Sequence, residues 1–247
     1  MRRLREFWTI HPDAEGPLRS WYRVVKQAHW QRFPDVRAIY GSADQGGKFT
    51  VFNIAGNTYR LIAVIHFNTG RLYVRQVLTH TAYDRGTWKT DSSRVSAHVP
   101  SQWRANPMSL ATIYGEAQDT YLALIRTFPL RPIRSEAELD EAMAVIDALV
   151  VTDPLEAAAA DYLAVLSALV EQYEAEAHSI SPASDAEMLR HLIDAKAVSQ
   201  VQVAQETGIV ESTISAVLAG KRHLTREHIG KLAHYFHVSP SVFEFGE

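Results

Sequence analysis

The chain changes the sign of its charge at about residue 107, and that change limits how its 247 residues can fold. Residues 1–107 carry 16 Lys/Arg against 7 Asp/Glu, a net of +9, while residues 108–247 carry 9 against 21, a net of −12. Stretches so unlike in charge predict separate modules: a basic one able to grip a phosphate backbone and an acidic one able to cover it. Apolar residues make up 47% of the chain, enough for each part to bury a core. No apolar run approaches the ~18 residues of a membrane span. The basic start MRRLREFW is interrupted by Arg5 and Glu6 before any signal-peptide apolar stretch. The lack of cysteine excludes disulfides and thiolate metal ligands. A cytoplasmic protein with no membrane partner is expected.

Hydrophobic spacing predicts an α+β domain over residues 1–92. A helix is expected from Pro17 to Trp30, with Leu18, Trp21, Val25 and Ala28 inward. A loop punctuated by Phe33-Pro34 and Gly46-Gly47 follows. Then come three antiparallel strands, Phe49–Ile54, Thr58–Phe67 and Arg71–Leu78, separated by Gly56-Asn57 and Asn68-Thr69-Gly70. Residues 93–107 lack periodicity and read as a linker. Residues 108–178 read as helical and strongly acidic, with 13 acids against 3 Arg. Within them, Ser135 with Glu138 has capping-box spacing, and Asp153-Pro154 signals a second helix start.

Residues 185–247 form the last module, whose pattern spans 185–243. A helix over about 185–197 precedes Ser199-Gln200-Val201-Gln202-Val203-Ala204-Gln205-Glu206-Thr207-Gly208-Ile209. Glu211-Ser212-Thr213-Ile214-Ser215-Ala216-Val217-Leu218-Ala219-Gly220-Lys221-Arg222 follows. This resembles the helix-turn-helix of the Cro/C1 repressor (Xre-like) family. The resemblance implies that Ser212, Thr213 and Ser215 face base edges or phosphates, and that Gln200, Lys221 and Arg222 grip the backbone of operator DNA. Val210 stands where that family usually has a capping Ser, and Glu211 where Arg or Gln often touches DNA.

The stretch Val51-Phe52-Asn53-Ile54-Ala55-Gly56-Asn57-Thr58-Tyr59-Arg60-Leu61, followed by Arg75, Thr79-His80 and Tyr83-Asp84, resembles the HigB family of small RelE-like endoribonuclease toxins. The partner antitoxins of that family, HigA, end in an Xre-like helix-turn-helix, so both halves of such a system stand in one chain. The resemblance implies a RelE-like fold, an antiparallel sheet with N-terminal helices, followed by an all-α region ending in the helix-turn-helix. It also implies mRNA and the ribosome as partners.

The residues fit the chemistry. Metal-independent RNA cleavage uses the ribose 2′-oxygen to attack the adjacent phosphate, so one proton must leave, another must be supplied, and phosphorane charge must be neutralised. Arg60 and Arg75 suit the charge, because guanidinium forks match phosphate oxygens. His80 suits proton transfer near neutral pH, and Tyr83 can donate to a phosphate or leaving oxygen. Which group acts as base and which as acid is open. Lys48, Arg85 and Lys89 are candidate phosphate contacts, and Tyr73 or Trp88 candidate base-stacking platforms. Asp84 reads as a turn or cap residue. Alternation puts Arg71, Tyr73 and Arg75 on one side of their strand, and Arg60 joins them in only one of two hairpin registers. His234 and His237 have chelating spacing but no third ligand near in sequence, so no metal or cofactor is expected.

The reading is a toxin–antitoxin pair in one chain: an endoribonuclease at 1–92, inhibited by acidic helices at 108–178, with a DNA-binding autorepressor at 185–247 that dimerises on a palindromic operator. The rival is a helix-turn-helix regulator whose N-terminal domain only senses a ligand or binds protein. A lost stop codon joining two genes gives the same sequence.

Overall fold

Runs of β-branched and aromatic residues make the sheet, and turns of left-handed backbone fold it. In the computed structural model, which describes residues 1–90, 117–152 and 154–243, the strands are β1 (Asp44–Gly46), β2 (Phe49–Ile54), β3 (Tyr59–His66) and β4 (Arg71–Thr79). They form an antiparallel meander in that order. The β2–β3 turn needs positive φ at three successive residues, 52° at Ala55, 56° at Gly56 and 84° at Asn57. Gly and Asn tolerate that conformation best. Ile62 pairs with Gln76 but Ala63 with Val74, which leaves Arg75 as the extra residue of a bulge. Strand β1 lies where the sequence predicted only loop.

Three helices precede the sheet: α1 (Arg2–Ile10), α2 (Glu15–Gln27) and α3 (Phe33–Ile39). Helix α2 buries Leu18, Ser20, Trp21 and Val24. It starts two residues before the expected Pro17 and stops short of Ala28, and Val24 rather than Val25 takes the innermost position. Helix α3 replaces an expected loop. Pro34 costs little in a first turn, and the Asp35 carboxylate accepts the free N–H groups of Gln31 and Arg32. Phe52, Ile54, Tyr59, Leu61 and Ala63 belong to the core shared with these helices. Strand alternation therefore turns Arg60, Ile62 and Val64 to the other face.

After β4 come α4 (His80–Asp84), α5 (Ala117–Thr127), α6 (Glu136–Val150), α7 (Ala157–Ala177), α8 (Asp185–Lys196), α9 (Gln200–Thr207), α10 (Glu211–Leu218) and α11 (Arg226–Phe236). The chain divides into two compact units, one of Arg3–Asp84 with Ile180–Glu247, the other of Met1–Arg2 with Arg85–Ser179. The linker expected at 93–107, and Asp153, lie outside the described residues. Among the described residues no helix is long and apolar enough to cross a membrane.

In the first unit the C-terminal helices pack on the helical layer of the sheet domain. One buried cluster runs from Leu18, Trp21, Tyr40 and Phe52 to Met188, Leu192, Ile214, Ile229 and Phe236. Ring contacts carry it: Trp21 and Tyr40 meet Phe52 edge-on at 5.4 and 5.1 Å, and Tyr40 meets His191 at 5.7 Å. The Tyr40 hydroxyl and His191 Nε2 lie 3.1 Å apart and buried, and the Gly41 N–H donates to the Ala195 carbonyl at 3.2 Å. Helices α8, α9 and α11 each open on a reciprocal cap, Ser184/Glu187, Ser199/Gln202 and Thr225/His228. Gly208 ends α9 with φ 66°, as its place in the turn predicts.

In the second unit, α6 opens at the predicted Ser135, with the Glu138 N–H donating to Ser135 Oγ at 3.2 Å, while the Glu138 carboxylate accepts the N–H of Arg134, one residue before the cap, at 2.6 Å. Leu139, Ala142, Ile146 and Leu149 are buried, and Met143 is half-buried. Helix α7 starts at Ala157, three residues after Pro154, and buries Tyr162 and Leu166. The Tyr162 hydroxyl donates to the Phe128 carbonyl at 2.7 Å. Several acids of this unit are used locally. Glu174, itself buried, receives the Met1 ammonium at 2.6 Å and the Arg2 N–H at 2.8 Å. The Arg2 guanidinium bridges Glu136 and Asp140.

Burial drives the His191 pKa down to about 3 from an ordinary 6.5, so the native imidazole is neutral. The unfolded chain takes up this proton below pH 6.5. The resulting stability is therefore present above pH 6.5 and is lost as pH falls towards 3, by at most about 1.4 kcal/mol per pH unit. His191→Gln should show a shallower fall in urea midpoint between pH 6.5 and 4 than the parent chain. Parallel slopes would show that His191 is not neutral in the native state.

Candidate active site and nucleic-acid interface

Local hydrogen bonding assembles the Thr-His-x-x-Tyr-Asp stretch at the end of β4. Thr79 Oγ1 accepts the Ala82 N–H at 3.3 Å and so starts α4. One helical turn then brings His80 beside Asp84, with Nδ1 2.8 Å from Oδ2. The pair stays open to solvent, the side chains 49% and 60% exposed, and Nε2 is left for another partner. Asp84, expected as a turn or cap residue, is thus the group that orients His80. The other member of the site comes across the sheet: the Arg60 guanidinium lies 5.5 Å from the Tyr83 ring centre.

Arg60 is 9% exposed, and its Nη1 donates to the carbonyls of Asn57 at 2.9 Å and Tyr59 at 3.3 Å. The strained β2–β3 turn and Tyr59 occupy one arm of the guanidinium, and the charge supports Tyr83. Register settles the alternative left by the sequence. Val64 opposite Tyr73 and His66 opposite Arg71 put Tyr73 and Arg71 on the Arg60 face, while the bulge takes Arg75 out of simple alternation. His66 stacks edge-on against Tyr73 at 5.4 Å. Sequence reading missed His66, because only the strand pairing brings it to that ring.

The remaining candidates differ in exposure. Lys48 is exposed, with Nζ 6.0 Å from the Phe49 ring centre, and Tyr73 is half-buried. Arg85 is exposed and falls in the other unit. The Lys89 side chain lies outside the described residues. Trp88 is buried, which removes it as an open stacking platform. On the helical side of the sheet, the Tyr59 hydroxyl donates to Asp13, with both carboxylate oxygens within 2.9 Å, and its pKa is pushed up to about 12 by burial and this partner.

In the helix-turn-helix, Ile209 and Ile214 are buried and Leu218 packs partly against the core, which fixes the outer face of α10. Gln200, Ser212, Ser215, Lys221 and Arg222 are exposed. Thr213 is not: it is 8% exposed, and its Oγ1 accepts from Arg222 Nη1 at 3.2 Å. The expected outward Thr213 is corrected: it lies one turn before the buried Val217, on the inner side of the helix. Val210 precedes α10 without a side-chain cap and is 67% exposed, with Glu211 exposed beside it. Ser239 opens the turn Pro240–Val242, and His237 ends α11 with φ 57°. No cluster of three potential metal ligands occurs among the described residues.

Residues 14–86 match the family described as "HigB_toxin, RelE-like toxic component of a toxin-antitoxin system", and residues 189–243 match a helix-turn-helix family. The mRNA interferase toxin HigB of Escherichia coli K12 is 27% identical over 77 residues, covering 30% of this chain and 74% of that protein. The mRNA interferase HigB of Escherichia coli O6:H1 is 30% identical over 80 residues, covering 31% of this chain and 78% of its own length.

The two faces of α10 make separable predictions. Thr213→Ala removes the acceptor of a half-buried Arg222 bond and should cost about 1 kcal/mol of stability, read as a lower urea midpoint. Ser215→Ala leaves the core untouched and should keep the midpoint while altering preference among duplexes selected from a random library. An unchanged midpoint for Thr213→Ala would show that its hydroxyl has no structural role.

Proposed function

The chain belongs to the HigB family of RelE-like toxins, a HigB toxin domain fused to a helix-turn-helix domain, and we propose that it unites an mRNA endoribonuclease with its own antitoxin and repressor. The observation that carries the nuclease reading is the His80–Asp84 pair beside the Tyr83–Arg60 stack, on the sheet face turned away from the helices. Asp84 holds Nδ1, so Nε2 of His80 exchanges a proton with the 2′-oxygen or the leaving 5′-oxygen. Tyr83, its ring backed by Arg60, donates to phosphate. Arg75, which the bulge sets apart on β4, neutralises phosphorane charge. Lys48, Arg85 and Lys89 steer the RNA backbone, and Tyr73 stacks a base. The ribosome is the expected setting for cleavage.

The helix-turn-helix acts on operator DNA as a homodimer. Ser212 and Ser215 read bases, while Gln200, Lys221 and Arg222 hold phosphates, so affinity falls steeply with salt. Thr213 shapes this face from behind. The acidic helical region between the two motifs silences the nuclease, by the charge argument that set 13 acids against a basic toxin domain.

Deleting residues 108–178 leaves intact the unit built from Arg3–Asp84 and Ile180–Glu247. The deleted chain should arrest growth and cut transcripts, whereas the parent chain does neither. His80→Ala within the deletion should slow cleavage by about 10²–10⁴-fold. A folded deletion variant that leaves growth and transcripts intact would overturn the assignment of the acidic helices as inhibitor. Full cleavage by the His80 variant would place the chemistry elsewhere.

A further inference from the structure

We infer that the helix-turn-helix module is a toxin-holding element in its own right: residues 3–84 and 180–243 open and close as one cooperative unit, held without covering the cleavage site. The last clause rests on the nuclease reading; the cooperativity does not. Arg19, Arg23 and Gln27 recur every four residues along one face of α2. All three turn towards the C-terminal module. Arg19 donates to the carbonyls of Ser181, at 3.0 Å, and Pro182. Arg23 donates to those of Ala183, Ser241 and Phe243 at 3.1–3.3 Å. Gln27 donates to the Ser241 carbonyl at 3.1 Å.

These bonds rim an apolar seam. Inside it lie the Tyr40–His191 hydrogen bond and the Gly41–Ala195 backbone bond, both of which lose their protein partners if the modules part. A hydroxyl, an imidazole and an amide would then need water, and the rings of Tyr40 and Phe52 would lose their cover. The carbonyls that Arg23 caps belong both to the segment before α8 and to the turn after α11, so one side chain clasps both ends of the module. The site, by contrast, follows β4 and faces with Arg60, on the opposite side of the sheet from α2. The module therefore anchors the toxin fold and leaves silencing to another part of the chain. Losing the acidic helices would leave a nuclease still joined to a DNA-binding domain.

Native-state hydrogen exchange on the full chain tests this without any RNA assay. The slowest amides of β3 and α11 should show equal protection. Ile229→Ala, in the core of α11, should speed both sets by the same factor, on the order of thirty-fold or more. Arg23→Ala, at the half-exposed rim, should also speed both equally and serves if the first variant fails to fold. Acceleration confined to α8–α11 with parental protection in β3 would show that the modules open separately and would overturn the inference. Loss of RNA cleavage would leave this result untouched, so the two readings fail independently.

Discussion

Helix α2 is buried on two sides, and the rest of its unit depends on that. Its inner side buries Leu18, Trp21 and Val24, with Trp21 against Phe52 of the sheet, and its outer side presents Arg19, Arg23 and Gln27 to the C-terminal module. A helix packed only on a sheet shows one apolar stripe and a solvated back. Here the back is amphipathic in a different sense, because long side chains lay their stems along apolar surface and place their polar heads on backbone carbonyls. Tyr40 extends the contact by touching Phe52 in the sheet and His191 in α8. Such polar contacts favour one docking geometry, since any other leaves carbonyls or a buried imidazole without partners.

That arrangement changes the meaning of the basic N-terminal charge. A net of +9 over residues 1–107 predicts a surface for phosphate, yet several of these cations serve the fold. Arg19 and Arg23 cap carbonyls, Arg3 donates to the Val74 carbonyl, and Arg60 closes a turn while backing Tyr83. Arg2 pairs with the acids of α6. Charge counts describe long-range fields, and each guanidinium also has five donors that backbone oxygens can claim. The acids show the same economy, with Glu174 holding the chain terminus and Glu136 receiving Tyr173 and His178.

The candidate site combines a short-range part and a long-range part. His80, Tyr83 and Asp84 lie within one helical turn, so their grouping follows from sequence spacing once α4 forms. Arg60 arrives through the pairing of β3 with β4, which also brings His66 to Tyr73 and displaces Arg75. A single bulge decides which cations accompany the histidine. The helix-turn-helix shows the same division. Its caps and its Gly208 turn are local, whereas the inward turn of Thr213 depends on how α10 rolls onto its neighbours.

Sequence alone determined the elements whose cause is local. These are the meander, set by apolar alternation and its glycine and asparagine turns, the helix start at Ser135, and the family resemblances carried by contiguous residues. Its errors lie where a neighbour decides. Helix α3 forms behind Phe33-Pro34 because Val36 and Ile39 find a core to enter, and β1 forms because β2 offers an edge. Only the tertiary structure joined the two ends of the chain into one unit, gave Arg60 to Tyr83, and turned Thr213 inward. Packing across more than a hundred residues of intervening chain leaves no periodicity to read, because its partners are matched in shape and hydrogen bonding and not in sequence spacing.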